Sequence, residues 1–307
     1  MFYPIRLSDE IQAALENNAP VVALESTVIS HGLPWPRNMD LALDLEQCVT
    51  DAGAIPATIA IIDGQLCAGL GKAEIELLAN GKEPVRKVSR RDLAISVAER
   101  GLGATTVAAT MLIAYWSRIR VFATGGIGGV HRGDTLDISA DLPELARTPV
   151  TVVCAGAKSI LDLPRTLEWL DTHSVPVIGY GTDHFPAFYV RSSGLPVQVQ
   201  LDTPEEIAKL IQIRDEMGLK GGELVAVPIP EAAALDPEQV NRWIAQAVTE
   251  AEHTGVRGKA VTPFLLSRMA TLTGGISIEA NIALLRNNAR VAAQIATALT
   301  LPQTSEI

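Results

Sequence analysis

Aromatic residues are scarce in this chain. Phe, Trp and Tyr make up 4% of 307 residues, although 48% of the residues are hydrophobic. A core must therefore be built from Ala, Val, Leu and Ile, and the chain has ample length to bury one. Cysteine is equally sparse: Cys48, Cys67 and Cys154 are widely spaced and form no CxxC pair, which speaks against a disulfide framework or a zinc site. Positive charge is in deficit, with 25 Lys and Arg against 35 Asp and Glu and a net charge of −10. No basic stripe is available for a nucleic-acid backbone, though one anion in a local pocket stays compatible. No apolar run approaches the roughly 20 residues of a membrane span. The opening MFYPIRLSDEIQAAL lacks the basic, apolar and small-residue order of a signal peptide. The expectation is a cytoplasmic protein with neither nucleic acid nor membrane as partner.

Two nucleotide-binding patterns are missing as well. In AGAKS (155–159), Ala157 and Val152 stand where a P-loop requires glycine, and Gly126-x-Gly128 is followed three residues on by His131 rather than glycine.

What is present is alternation. Strand-like apolar runs lie at 20–24, 58–62, 65–68, 121–123, 150–154, 175–180, 197–200 and 224–227. Helical spacing covers 38–52, 75–79, 92–100, 143–147, 160–173, 204–217 and 277–299, with a further helix opening at Thr262-Pro263. Residues 105–107 open either a strand or a helix, and 31–36 read as a turn. Strands that are continuous apolar runs between helices imply a largely parallel sheet covered on both faces. Asp63-Gly64 signals a two-residue hairpin, which makes the sheet mixed. Residues 1–307 thus read as one domain, a three-layer α/β/α sandwich with a mostly parallel, mixed central sheet.

The polar residues gather at strand ends. Glu25 ends the run PVVAL, where a carboxylate can act as general acid or base or stand exposed. Four glycines in 125–129 follow a buried strand; they are expected to adopt backbone angles closed to other residues and to let a ligand approach. His131 and Arg132 then offer donors to a phosphate, or are solvated at a loop tip. Lys158 follows the strand 150–154 and stands at the start of the next helix, whose positive end disfavours an ammonium and so favours a nucleophilic amine; a plain surface lysine is the alternative. Asp137, Ser139 and Asp141 alternate, suiting a hard cation such as Mg²⁺ or Mn²⁺. Ser139 or Asp141 equally suits a cap for the helix 143–147. Asp134 is a further acid in this stretch. Lys87 lies in the basic cluster 86–91, and Asn281 shares a helix face with Leu285 and Asn288, either locking a loop or touching a ligand. His31 is a turn residue or a catalytic one.

Taken together, ALESTVISHGLP (23–34), KVSRRDL (87–93), GATTVAATM (103–111), VFATGGIGGVHRG (121–133), DISADL (137–142), VVCAGAKSILDL (152–163), GLKGG (218–222), TPFLLSRMATLTGG (262–275) and NIALLRNNAR (281–290) resemble the pseudouridine-5′-phosphate glycosidase family, also called indigoidine synthase A-like. The likeness runs from about residue 20 onward. It implies reversible cleavage of the C–C glycosidic bond of pseudouridine 5′-phosphate, a phosphorylated C-nucleoside, to uracil and ribose 5-phosphate. It further implies one Mn²⁺ per subunit and a homotrimer. By resemblance Lys158 forms a Schiff base with the ring-opened sugar and Glu25 carries protons. Asp137 is the metal ligand, and Ser139, Ala140 and Asp141 contact substrate or metal-bound water. Lys87, Val107 and His131 are substrate-side positions, and Asn281 lies on the base side. The segment 133–136 is shorter than the family pattern. A Schiff-base lyase or aldolase acting on another sugar phosphate, or a non-catalytic phosphosugar-binding protein, are the alternative readings.

Overall fold

A computed structural model describes residues 4–133, 137–256 and 261–301. Asp134, the shortened segment's residues 134–136 and the turn residues 257–260 lie outside them.

Seven parallel strands form the body of the sheet. In spatial order they are β3 (Ile55–Ile62), β2 (Val21–Leu24), β7 (Val121–Ala123), β8 (Thr151–Cys154), β11 (Leu224–Ala226), β9 (Val177–Tyr180) and β10 (Val199–Leu201). The Asp63-Gly64 hairpin forms as expected: β3 pairs antiparallel with β4 (Gln65–Ala68) across a turn with φ of 50° and 75°, which only the mirror-image turn types use. Beyond it lies β1 (Ile5–Leu7), and β6 (Leu102–Thr105) joins the other edge of β3 antiparallel, carrying β5 (Val85–Val88).

Alternate residues of each central strand face opposite layers, as the two-residue strand period dictates. Val21, Ala23, Phe122, Val152, Cys154 and Leu224 pack with α1 (Asp9–Glu16), α6 (Val107–Trp116) and α8 (Leu163–Thr172). Val22, Leu24, Val153 and Val225 pack with α3 (Arg37–Asp51), α9 (Pro204–Glu216) and the long α12 (Ile276–Thr300). Helix α9 starts where Thr203 accepts from the Glu206 N–H at 3.2 Å and Glu206 reaches back to the Thr203 N–H at 3.0 Å, the reciprocal cap its sequence announces.

Several elements differ from the sequence expectation. Helix α8 begins at Leu163, not 160, because Asp162 caps it and Pro164 occupies its first turn. Lys158 is therefore in the preceding turn and not at a helix start. Helix α2 (Thr27–His31) replaces part of the expected turn and is too short for periodicity to reveal. Helix α10 (Pro237–His253) is not among the expected helices, although Val240, Ile244, Ala247 and Ala251, all buried, recur at spacings of four, three and four. Helices α4 (Lys72–Ala79), α5 (Leu93–Glu99) and α11 (Val261–Leu272) fall near their expected places.

A splice at β3 aims the chain into the site. The first half of β3 pairs with β2 and its second half with β6. At the junction the Ile59 carbonyl accepts from the hydroxyls of Ser26 and Thr105, both at 2.7 Å, and the Thr105 N–H donates to the Ser26 hydroxyl at 2.8 Å. Buried backbone groups that would be orphaned where β2 turns away are thereby paired, and Glu25 is fixed between β2 and Ser26.

The glycine turn after β7 has a different cause from the expected one. None of Gly125, Gly126, Gly128 or Gly129 has φ in the left-handed region. A Cβ on Gly126 would lie 2.7 Å from the Phe188 ring, on Gly128 2.1 Å from the Ser139 hydroxyl, and on Gly129 2.4 Å from that of Thr166. The glycines let the protein close on itself. Asp141 is the clamp: its buried carboxylate accepts from Gly128 N–H at 2.8 Å and from Ala108 N–H, in the first turn of α6, at 3.0 Å. Of the two capping candidates, Ser139 serves the following helix, its hydroxyl accepting from the Asp141 N–H at 3.3 Å; Asp141 does not cap it, since α7 (Asp141–Leu145) starts at Asp141 itself after Ala140.

At the opposite, N-terminal ends of the strands, buried Glu223 accepts from Thr151 Oγ1 at 2.5 Å and from the Arg214 guanidinium at 2.7 Å. Arg214 also holds Asp215 at 2.6 Å, so Glu223→Ala removes one of its two carboxylates and is expected to cost less than the about 3–5 kcal/mol of a fully stranded buried charge in denaturant unfolding, while kcat per folded molecule stays unchanged. Gly128→Ala should cost about 1–3 kcal/mol through overpacking and also depress turnover. Gly101→Ala, where no atom lies within 4 Å of the new methyl, is the control and should be close to neutral in both measurements.

Candidate active site

Strand order reverses at β2: the chain leaves it for β3 on one side and returns to β7 on the other, all in parallel. In open α/β sheets the crevice at the carboxyl ends of such strands is where ligands bind. Glu25 directly follows β2, and Thr124 directly follows β7. Their side chains meet there, with Thr124 Oγ1 donating to Glu25 Oε1 at 2.5 Å and Thr27 Oγ1, from the first residue of α2, donating to Glu25 Oε2.

Lys158 arrives by a backbone ladder that continues past the strands. Beyond β7 and β8, Ala155 N–H donates to Gly125 at 2.9 Å, Ile127 N–H to Gly156 at 3.1 Å and Lys158 N–H to Ile127 at 3.1 Å. The lysine is thus registered against the glycine turn rather than set on a helix. From above, Asn288 of α12 donates its amide to the Thr124 carbonyl at 2.8 Å. Of the two amides on the α12 face, Asn288 locks the turn and Asn281 looks into the crevice.

A cleft of about 90 Å³ collects these groups. Glu25, Lys87, Lys158 and Asn281 line it, with His31 exposed at its rim. Val28, Phe188, Pro263, Leu266 and Leu285 supply apolar wall. Two lysines against one carboxylate suit an anionic ligand, and the mixed wall suits one with a planar or apolar portion. Sequence reasoning missed Thr27, Thr124 and Phe188. The first two adjoin strand ends in LEST and FATGG, a positional signal that was available; Phe188 comes from the loop before β10, which carries none.

The other sequence-derived candidates are not among the cleft's lining residues. Val107 is buried as the first residue of α6, so its backbone is what it can offer. His131 is half-buried and its N–H donates to the Asp137 carbonyl at 3.0 Å. Asp137 and Ala140 are exposed, and the Ser139 N–H donates to Gly129 at 3.0 Å. These residues join the cleft only through the glycine turn. Among the described residues no three or more His, Cys, Asp or Glu side chains gather to hold a metal ion. Asp137 offers one accessible carboxylate, whereas both oxygens of Asp141 are engaged by backbone N–H groups. No helix among the described residues is long and apolar enough to cross a membrane.

Comparison with known proteins places this arrangement. The family model described as indigoidine synthase A like protein matches residues 10–298. A protein of Hahella chejuensis named pseudouridine-5′-phosphate glycosidase is 57% identical over 292 residues, covering 94% of this chain and 96% of its own. One of the same name from Staphylococcus aureus is 53% identical over 297 residues, covering 96% of each. Among solved structures, the prealnumycin C-glycosynthase AlnA in complex with ribulose 5-phosphate is 42% identical with a TM-score of 0.90, covering 98% of both chains. An indigoidine synthase A-like protein from Thermotoga maritima is 35% identical with a TM-score of 0.89, covering 98% of this chain and 99% of its own. With its strand-end cleft and its length matched almost throughout, this chain belongs to the indigoidine synthase A-like family.

Proposed function

We propose that the chain is a pseudouridine-5′-phosphate glycosidase, interconverting that C-nucleotide with uracil and ribose 5-phosphate. The observation that carries this is the convergence of Lys158, Glu25, Lys87 and Asn281 in one cleft at the strand switch. The names of the relatives, and a structural neighbour crystallised with a pentulose phosphate, support the same reading.

The chemistry needs such a set. A C–C glycosidic bond offers no leaving oxygen to protonate, so paired carboxylates of the usual glycosidase kind do not suffice. An iminium between Lys158 and C1 of the opened sugar draws electrons from the bond being broken. Glu25 moves the protons that ring opening and uracil release require. Lys87 attracts the phosphate, and the Val107 N–H at the start of α6, next to the Ala108 N–H that Asp141 occupies, suits an anion. Beside them the buried Thr106 hydroxyl finds no protein partner among the described residues, which is a donor suited to a phosphate oxygen. Asn281 matches the amide edge of uracil. His131, Ser139 and Ala140 approach from the far side of the glycine turn, and Asp141 acts through Gly128.

The Mn²⁺ implied by the resemblance fits Asp137 in one mode only, a single carboxylate with waters completing the shell, as small hard cations often bind. When bound it supplies positive charge near the turn. We extend the proposal to a homotrimer, which light scattering would report as three chains.

Incubating uracil, ribose 5-phosphate and Mn²⁺ with the protein should yield pseudouridine 5′-phosphate by mass spectrometry; absence of product from folded protein would count against the assignment. Borohydride should trap ribose 5-phosphate on Lys158. Lys158→Ala should lose both the adduct and turnover, and a trapped adduct from other sugars alone would favour an aldolase or lyase instead. Glu25→Gln should lower kcat by about 10²–10⁴-fold. If Lys158→Ala kept full activity, the protein would be using other chemistry.

A further inference from the structure

Glu25 has a hydroxyl on each oxygen, and neither hydroxyl is free to wander. Thr124 is 1% exposed. Its N–H donates to Val153 of β8 at 3.0 Å, and its carbonyl accepts from Asn288 of α12. Thr27 follows Ser26, which is pinned to Ile59 and Thr105. Both are threonines, whose branched side chains are stiff at χ1. Two hydroxyl protons aimed at one carboxyl leave it acceptor-only, with a further lone pair on each oxygen for other partners.

We propose that Thr27 and Thr124 are positioning residues that hold the Glu25 carboxyl in one orientation, one oxygen on each hydroxyl, so that its free lone pairs face the protons it must move. This rests on the Schiff-base reading above. From the ammonium form of Lys158, condensation with an aldehyde forms the C1–N bond, breaks the C1–O bond and expels the carbonyl oxygen as water. Two of the three nitrogen protons leave with that oxygen. One carboxylate serves both transfers, taking each proton from nitrogen and giving it to oxygen, provided it starts unprotonated. No oxidant or reductant is needed. The other charged or titratable groups facing Glu25 across the cleft are Lys87 from β5, Lys158 from the turn after β8 and His31 from α2; α11 and α12 contribute Pro263, Leu266, Asn281 and Leu285.

The test compares Thr27→Val, Thr124→Val and the two serine replacements in pseudouridine 5′-phosphate synthesis with Mn²⁺ present. Each valine should lower kcat by about ten- to a hundredfold and leave KM within a few-fold. Each serine should restore most of kcat. Valine variants with wild-type kcat would overturn the proposal. So would serine variants as impaired as the valines while melting like the wild type. If the wild-type protein makes no product, the assigned reaction fails; the threonines are then judged by the rate at which the variants form a borohydride-trapped adduct with ribose 5-phosphate, and unchanged rates would overturn their role.

Discussion

Backbone pairing that outlasts the strands is the constraint on which this site depends. β7 and β8 each end after three or four residues, yet their loops stay hydrogen-bonded for four residues more, up to Lys158. A lysine in an ordinary loop would sample many positions and lose entropy on every encounter with substrate. Here its Cα is set by the same ladder that sets the glycine turn, and the glycine turn is set by Asp141 below and Asn288 above. Catalytic constellations gain from such preorganisation because little must be reorganised when charge moves.

The two ends of the sheet divide the work. At the N-terminal ends, Glu223, Arg214 and Thr151 form a buried ionic cluster facing no cleft residue. At the C-terminal ends, Glu25 is held by two hydroxyls and the glycine turn by an amide. Splicing β6 onto β3 belongs to the second end: it frees the last residues of β2 to turn inward, and Ser26 with Thr105 satisfies the carbonyl left behind.

Much of this was legible in the sequence where periodicity or turn chemistry is local. The hairpin at Asp63-Gly64, the cap at Thr203 and the run of α12 formed where residue types alone place them. Glu25, Lys87, Lys158 and Asn281 are candidates by residue type and position, three of them at or beside strand ends, and the fold brings the four into one cleft. What escaped is non-local. The glycines of 125–129 announce only that side chains are forbidden; that Phe188, Ser139 and Thr166 are the reason depends on chain more than ten residues away. The sheet order that makes β2 the switch strand has no local signature either. Asp141 suited a cap because such residues usually serve their own helix, and it serves α6 instead, 33 residues back along the chain.

The net charge of −10 poses a last question, since the proposed substrate is itself an anion. Screening answers it: at physiological ionic strength charges separated by more than about 8 Å of solvent hardly feel one another. What an anion meets at the cleft is therefore local: Lys87 and Lys158, against one carboxylate already accepting two hydroxyl protons. The wider acidic surface repels nucleic acid and other polyanions that contact many residues at once. A net negative chain and a cleft holding two lysines are thus no contradiction, and composition and the proposed substrate agree once distance is taken into account.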